Sequence, residues 1–366
     1  MSERNITEVR VYIGTYTQGA SEGIYVYRLN VSTGELEYES KATGVESPSF
    51  LALHPERRYL YAVNAVREVD GKPNGRVSAF GINSASGELT FLNHQLSGGP
   101  GPCHLSVDLT GRYVLVANYA GGSVAMLPIQ TDGSLGEASD FVQHAGSSVN
   151  PDRQEGPHAH SINIDSGNRY AFAPDLGIDK IMIYELDLTQ GKLKPNSQPW
   201  VQVHAGAGPR HFDFHPNGRW AYAINELDSS MTAFRYDSAG GVLSEIESVT
   251  TLPDDFDGTS HCADVHVSPS GKFVYGSNRG HDSIVIFAID EHTGQLTLVG
   301  HESTQGEIPR NFAIDPTGTL LLAANQMSDT VVTFWIDPGT GKLNPTGHIA
   351  EVPTPVCLKP IIIPGG

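Results

Sequence analysis

Arg210, Glu226, Arg279 and His160 are the residues of this chain whose types could do chemistry together. Each occupies a position of an internal repeat where most sister copies carry something else. Two guanidinium groups, a carboxylate and an imidazole gathered at one mouth would bind an anion and move a proton. The plainer alternative is an ion-pair network that closes a channel. At the same strand ends stand His104, His158, His211, Asn278 and Arg310, the further candidates for contact with a small molecule. Asn278 belongs to a series with Asn64, Asn118, Asn225 and Asn325. An asparagine recurring at one repeat position serves first to satisfy loop backbone groups.

The repeat that must position these residues is clearest in GAGPRHFDFHPNGRWAYAINE, Gly206 to Glu226. Two short alternating runs flank a Pro-Asn-Gly turn, the pattern of an antiparallel hairpin. It recurs at Pro48–Asn64, Pro102–Asn118, His160–Asp175, His266–Asn278 and Pro309–Asn325, in steps of 47 to 57 residues. Periods of this size with several short strands each are propeller blades. A second turn follows each hairpin, as NVSTGEL, NSASGEL, QTDGSL, DLTQGKL, DSAGGVL, DEHTGQL and DPGTGKL. Glycine supplies positive φ there, and Asn or Asp the side-chain bond to backbone. Seven such turns predict an all-β, seven-bladed propeller of four-stranded antiparallel blades.

First hairpins number only six, so the chain ends must supply the seventh. Val9–Thr15 matches the second strand of the repeat and Ile24–Leu29 the third. The missing inner strand is filled by PTPVCLKPIII, Pro353 to Ile363. Pairing the C-terminal strand with the N-terminal blade removes free sheet edges. Residues 9–366 then form one domain, with residues 1–8 a loose polar tail. In such a ring the inner strand begins and the second strand ends on one face. The insertions 65–76, 144–157 and 253–260 are all loops of that face, where function is expected. His54, His215 and Asp315 share a turn position on the opposite face and read as hairpin punctuation.

Composition bounds the rest. Forty glycines and short strands fit an all-β chain, and no run of eighteen apolar residues exists. The opening MSERNITEVR lacks a signal peptide's apolar core, and the cysteines are few and odd in number. Both point to a cytoplasmic protein, with Cys103, Cys262 and Cys357 as small filler near inner-strand starts. A net charge of −18 makes nucleic acid and anionic membranes poor partners. His158 and His160, two apart on a strand, would point the same way. Without a companion carboxylate triad they predict no metal. No P-loop, dinucleotide fingerprint or Gly-x-Ser-x-Gly elbow is present.

GPRHFDFHPNGRWAYAINEL (Gly208 to Leu227), HSINI from His160, SNRG (Ser277 to Gly280) and PRNFAIDPTG (Pro309 to Gly318) carry a resemblance. With VYIGTYT near the start, the chain resembles the seven-bladed propeller lactonase family over essentially its whole length. That family includes bacterial 6-phosphogluconolactonases and is related to fungal 3-carboxy-cis,cis-muconate lactonizing enzymes. By motif, the family's proposed histidine, arginine, glutamate and second arginine fall on His160, Arg210, Glu226 and Arg279, with His158 a rival for the histidine. The resemblance implies hydrolysis of a sugar lactone, 6-phosphoglucono-δ-lactone being the leading case, with no metal or organic cofactor. Glu226 or His160 would activate water, while Arg210 and Arg279 hold the carbonyl oxygen or phosphate, Arg310 being a further phosphate candidate. Two other classes stay open. One is a lactonizing or isomerising enzyme on a dicarboxylic acid, and the other is a non-catalytic propeller that binds a partner protein.

Overall fold

Alternating strands that are apolar on both faces must be covered on both, and here each sheet is covered by its two neighbours in a ring. The computed structural model describes residues 8–362. The tail expected over residues 1–8 lies outside the described residues except for Glu8, which opens a strand. Seven four-stranded antiparallel sheets are present, with a two-stranded ribbon of Glu68–Val69 and Lys72–Pro73 inside the insertion 65–76. Numbered from Pro48, the inner strands of blades 1 to 7 are Pro48–Leu53, Pro102–Val107, Asn163–Ile164, Pro209–Phe214, His261–Val267, Pro309–Ile314 and Pro355–Ile362.

Blade 7 is made from both ends of the chain, as the repeat count requires. Pro355–Ile362 pairs antiparallel with Glu8–Thr15, which pairs in turn with Gly23–Asn30 and Leu36–Thr43. The core lies between blades rather than at one centre. Val11, Ile13, Leu322 and Leu358 pack blade 7 against blade 6, and Tyr12, Leu51, Leu60 and Cys357 pack it against blade 1.

Polar contacts repeat this blade-to-blade logic. The hydroxyls of Tyr12, Tyr61, Tyr222 and Tyr275 each donate to the carbonyl of the next blade's outer-turn glycine, at 2.9 to 3.1 Å. Those glycines do more than supply positive φ. A Cβ on Gly133 would stand 2.2 Å from the ring of Tyr59, so any side chain would lever two blades apart. On the face away from the insertions, His54 and His215 bond through Nε2 to the carbonyls of Gly111 and Gly271 in the following blades. The recurring asparagines are buried and tie loop carbonyls, Asn64 to Glu46, Asn118 to Ser97 and Asn325 to Thr304.

Closure by the last strand has a measurable consequence. Leu358 is buried between blades 6 and 7, and Leu358→Ala is expected to cost about 2–5 kcal/mol, read as a lower denaturation midpoint. A chain ending at Thr354 leaves the Glu8–Thr15 edge unpaired. It is expected to show no cooperative thermal transition by circular dichroism.

Candidate active site

Strand alternation would send Arg210 and His211 to opposite faces, yet both point into the central channel. The reason is a β-bulge. Pro209 pairs with Asn225 and His211 with Ile224, leaving Arg210 as the extra residue. A bulge of this kind re-aims a side chain beside a site. The same register shift occurs at Pro48/Phe50, Pro102/His104 and Pro309/Asn311. The inner strands therefore present two tiers, one at the mouth and one below it.

The lower tier plugs the channel. Phe50 of blade 1 meets His104 of the neighbouring blade 2 at 4.3 Å between ring centroids and, across the ring axis, His211 of blade 4 at 5.8 Å. His211 donates through Nδ1 to Asp264 (2.6 Å), which also accepts from His266 (3.0 Å) and Asn311. His104 accepts from the Ile162 N–H at Nδ1 (3.2 Å), so its other ring nitrogen carries the proton of the neutral form. Burial, reinforced by neighbouring positive charge, pushes His104 well below the usual imidazole value and His211 down to about 4.

Above this plug sits Glu226, at the end of the second strand of blade 4. Its Oε2 takes Arg210 Nε at 2.8 Å and Arg279 at 2.9 Å, and its Oε1 takes Arg153 at 2.6 Å. His160 Nε2 stands 3.8 Å from Oε2, near but not hydrogen-bonded. Burial opposes ionisation of Glu226, but Arg279 and Arg210 outweigh it and hold the carboxyl well below its ordinary range. Burial and then the charge of Arg210 keep His160 well below 6.5, hence neutral at pH 7. Arg210 and Arg279 also donate to the carbonyls of Ala263, His261 and Cys262 in blade 5.

Arg153 escaped the sequence reading. It comes from the insertion 144–157, whose place on this face was the available signal. The insertion is built rigidly there. Buried Gln154 bonds the Leu176 carbonyl and the Asn150 N–H. Asp179 takes Ser148 Oγ together with the N–H groups of Gly206 and Gly208, tying the insertion to the turn before Arg210.

These groups open onto a cavity of about 420 Å³, lined among others by Tyr16, Arg67, Cys103, Tyr119, Arg153, His160, Glu226, Arg279 and Arg310. That volume is typical of small-molecule clefts, roughly 300–1,000 Å³. Tyr16, Arg67 and Tyr119 were not among the expected contacts. Of the residues that were, His160, Glu226, Arg279 and Arg310 line the cavity and Arg210 braces Glu226 from behind. Like Arg210, the other four do not line it, each for a geometric reason. His104 and His211 belong to the plug. Asn278 is engaged with Thr251, donating to its carbonyl at 2.9 Å and accepting from its hydroxyl at 2.8 Å. His158 stacks on Tyr119 at 4.7 Å and donates to the Tyr119 carbonyl. The stretch around His158 and His160 is irregular, with only Asn163–Ile164 in the strand, so strand alternation does not govern where the two histidines point. Among the described residues no group of three His, Cys, Asp or Glu side chains could hold a metal ion.

Two stability measurements follow from this geometry. Arg210 is 2% exposed, so Glu226→Ala strands a buried charge and is expected to cost roughly 3–5 kcal/mol. Arg153 is 35% exposed, and Arg153→Ala is expected to cost less than about 1 kcal/mol. For pH, the native state resists protonation of His104, His160 and His211, while the unfolded chain takes those protons near 6.5. Stability is therefore expected to decline as pH falls below 6.5, by up to about 1.4 kcal/mol per pH unit for each group. His266, raised by Asp264 against its burial, acts in a different window: it adds stability as pH falls toward 6.5 and contributes no slope below it. Denaturant titrations between pH 7.5 and 5 measure the slope.

The family model described as "Lactonase, 7-bladed beta-propeller" matches residues 10–360. A 6-phosphogluconolactonase of Bacillus subtilis (strain 168) is 40% identical over 348 residues, covering 95% of this chain and 97% of the relative. A 6-phosphogluconolactonase of Formosa agariphila is 37% identical, covering 83% of this chain and 86% of that one. The structure of a periplasmic gluconolactonase from Pseudomonas aeruginosa superposes with a TM-score of 0.92 at 34% identity, covering 98% of this chain and 100% of the other. Fold, cavity and these full-length similarities agree: the chain belongs to the seven-bladed β-propeller lactonase family.

Proposed function

We propose that the cavity hydrolyses a sugar lactone, with 6-phosphoglucono-δ-lactone opening to 6-phosphogluconate as the leading reaction. The observation that carries this reading is the carboxylate of Glu226 beside the neutral imidazole of His160, set among arginines in a cavity of small-molecule size. Water attacks the lactone carbonyl carbon, a C–O bond forms, and the ring C–O bond breaks after the tetrahedral intermediate. The proton lost by water returns to the departing ring oxygen, and the product is an open-chain hydroxy acid. Positive groups near the carbonyl stabilise the oxyanion that forms between these steps.

Of the two candidate bases, His160 is the better placed. The oxygens of Glu226 accept from three guanidinium groups, which hold its carboxyl well below the ordinary range and make it a weak base. His160 is neutral and lines the cavity, its Nε2 is 3.8 Å from Glu226 Oε2, and Cys103 stands by its Nδ1 at 3.7 Å. Glu226 then orients the arginines and favours the imidazolium formed when His160 takes the proton. The relatives' names, a 6-phosphogluconolactonase and a gluconolactonase, support a sugar lactone in either form. A phosphorylated substrate and three unpaired cysteines fit a cytoplasmic setting.

The deciding assay is hydrolysis of freshly generated 6-phosphogluconolactone and of δ-gluconolactone, each read above its spontaneous opening. His160→Asn is expected to lower kcat/KM by roughly 10²–10⁴-fold, the usual weight of a general base, and Glu226→Gln to lower it as well. No acceleration of either lactone by the native protein would sink the hydrolase reading. A dicarboxylic acid cyclised instead would favour the lactonizing class. Because the active forms are neutral His160 and ionised Glu226, both held below their ordinary values, kcat/KM is expected to stay level from pH 8 through 6.5. It should fall only on the acid side of 6.5.

A further inference from the structure

The cavity has two unlike walls. On blades 3 to 5 stand His160, Glu226 and Arg279, joined by Arg153, and there every arginine touches the carboxylate. On blades 6, 7 and 1 stand Arg310, Tyr16 and Arg67, with no acid among them. Arg310 occupies the same upper-tier position in blade 6 that Arg210 holds in blade 4, the bulge after the inner strand's leading proline. Arg210 has Glu226 as its counter-ion. Arg310 instead lies over the ring of Tyr16, its Cζ 5.6 Å from the centroid. Among the described residues no carboxylate pairs with Arg310 or Arg67. Arg67 is carried to the rim by the ribbon of the 65–76 insertion, held by the Asn74 N–H on its carbonyl and the Gly101 N–H on that of Val66.

A half-buried guanidinium without a counter-ion is costly unless something supplies the negative charge. A phosphate monoester is close to a dianion at neutral pH and suits the planar fork of arginine. We propose that Arg310, backed by Tyr16 and joined at the rim by Arg67, is the subsite for a substrate phosphate, and that it sets the preference for phosphorylated over unphosphorylated lactone. The donors of Arg210 and Arg279 are committed to Glu226 and to blade 5 carbonyls, which leaves phosphate recognition to the opposite wall. A lactone anchored there by its phosphate reaches across the cavity with its carbonyl toward His160. This assignment rests on the sugar-lactonase reading.

The test compares the native protein with Arg310→Gln, Arg310→Lys and Arg67→Gln in two assays. One is kcat/KM on 6-phosphogluconolactone against δ-gluconolactone. The other is calorimetric binding of the products, 6-phosphogluconate against gluconate, which needs no turnover. Losing a charged hydrogen-bonding partner corresponds to roughly 10- to 150-fold. Arg310→Gln is expected to weaken 6-phosphogluconate by that much more than gluconate, with KM for the phosphorylated lactone rising in step. Arg310→Lys should recover part of the loss, and Arg67→Gln should show a smaller difference of the same sign. An equal effect of Arg310→Gln on both ligands, or none on either, overturns the subsite while leaving the hydrolase intact. A stronger Arg310 dependence for a lactone bearing a terminal carboxylate overturns the phosphate assignment. If the native protein opens no lactone yet binds 6-phosphogluconate through Arg310, the subsite stands and the hydrolase reading falls. An unchanged thermal transition in Arg310→Gln shows that the comparison is between folded proteins.

Discussion

The carboxylate of Glu226 is the interaction around which the mouth of this propeller is arranged. A charge at this depth is tolerable only with counter-charge and hydrogen bonds in contact, and three guanidinium groups from three parts of the chain provide both. Arg210 comes from the same blade, Arg279 from the next, and Arg153 from the insertion between blades 2 and 3. The arginines in turn satisfy carbonyls at the start of blade 5. One buried anion thus couples the insertion between blades 2 and 3 to blades 4 and 5. His160 is held neutral beside it by burial and by Arg210.

That arrangement depends on the rigidity of the ring beneath it. Tyrosine hydroxyls on outer-turn glycines clasp successive blades, and the last strand closes the first blade in sequence. The plug of Phe50, His104, His211 and Asp264 then fills the axis, so the cavity is a cup on one face instead of a through-channel. The cup's two walls differ in electrostatic character because identical repeat positions received different partners. Arg210 and Arg310 are equivalents by register, yet one braces a carboxylate and the other lies on an aromatic ring. Divergence at matched positions of a repeat is how a symmetric scaffold acquires an asymmetric site.

Members of this lactonase family share the scaffold over essentially full length, as the similarity to the Bacillus subtilis and Pseudomonas aeruginosa proteins shows. The names of those two relatives differ by a phosphate. In the present chain Arg310 and Arg67 stand opposite the carboxylate wall, and among the described residues no carboxylate pairs with either.

The ring, its blade count, its closure and the face carrying the site were legible in the amino-acid sequence. Those features come from local rules, since strand alternation, turn glycines and the spacing of repeats act within some fifty residues. The same locality brought His160, Arg210, Glu226 and Arg279 to one rim, because repeat position alone fixes which end of a blade a residue occupies. Their contacts were a different matter. Arg153 reaches Glu226 across 73 residues of chain, and nothing local tells which arginine of an insertion will find a distant carboxylate. His104 and His211 share the rim positions by sequence, but their rings gather on Phe50 at the axis and lie below the cavity. Register shifts decided that outcome, by turning two adjacent side chains of a strand to the same side. Local rules of alternation, turn and repeat set the scaffold and the rim. Only packing around the axis decided which charges are spent on one another and which face the cavity, because that depends on distances between blades that no repeat encodes.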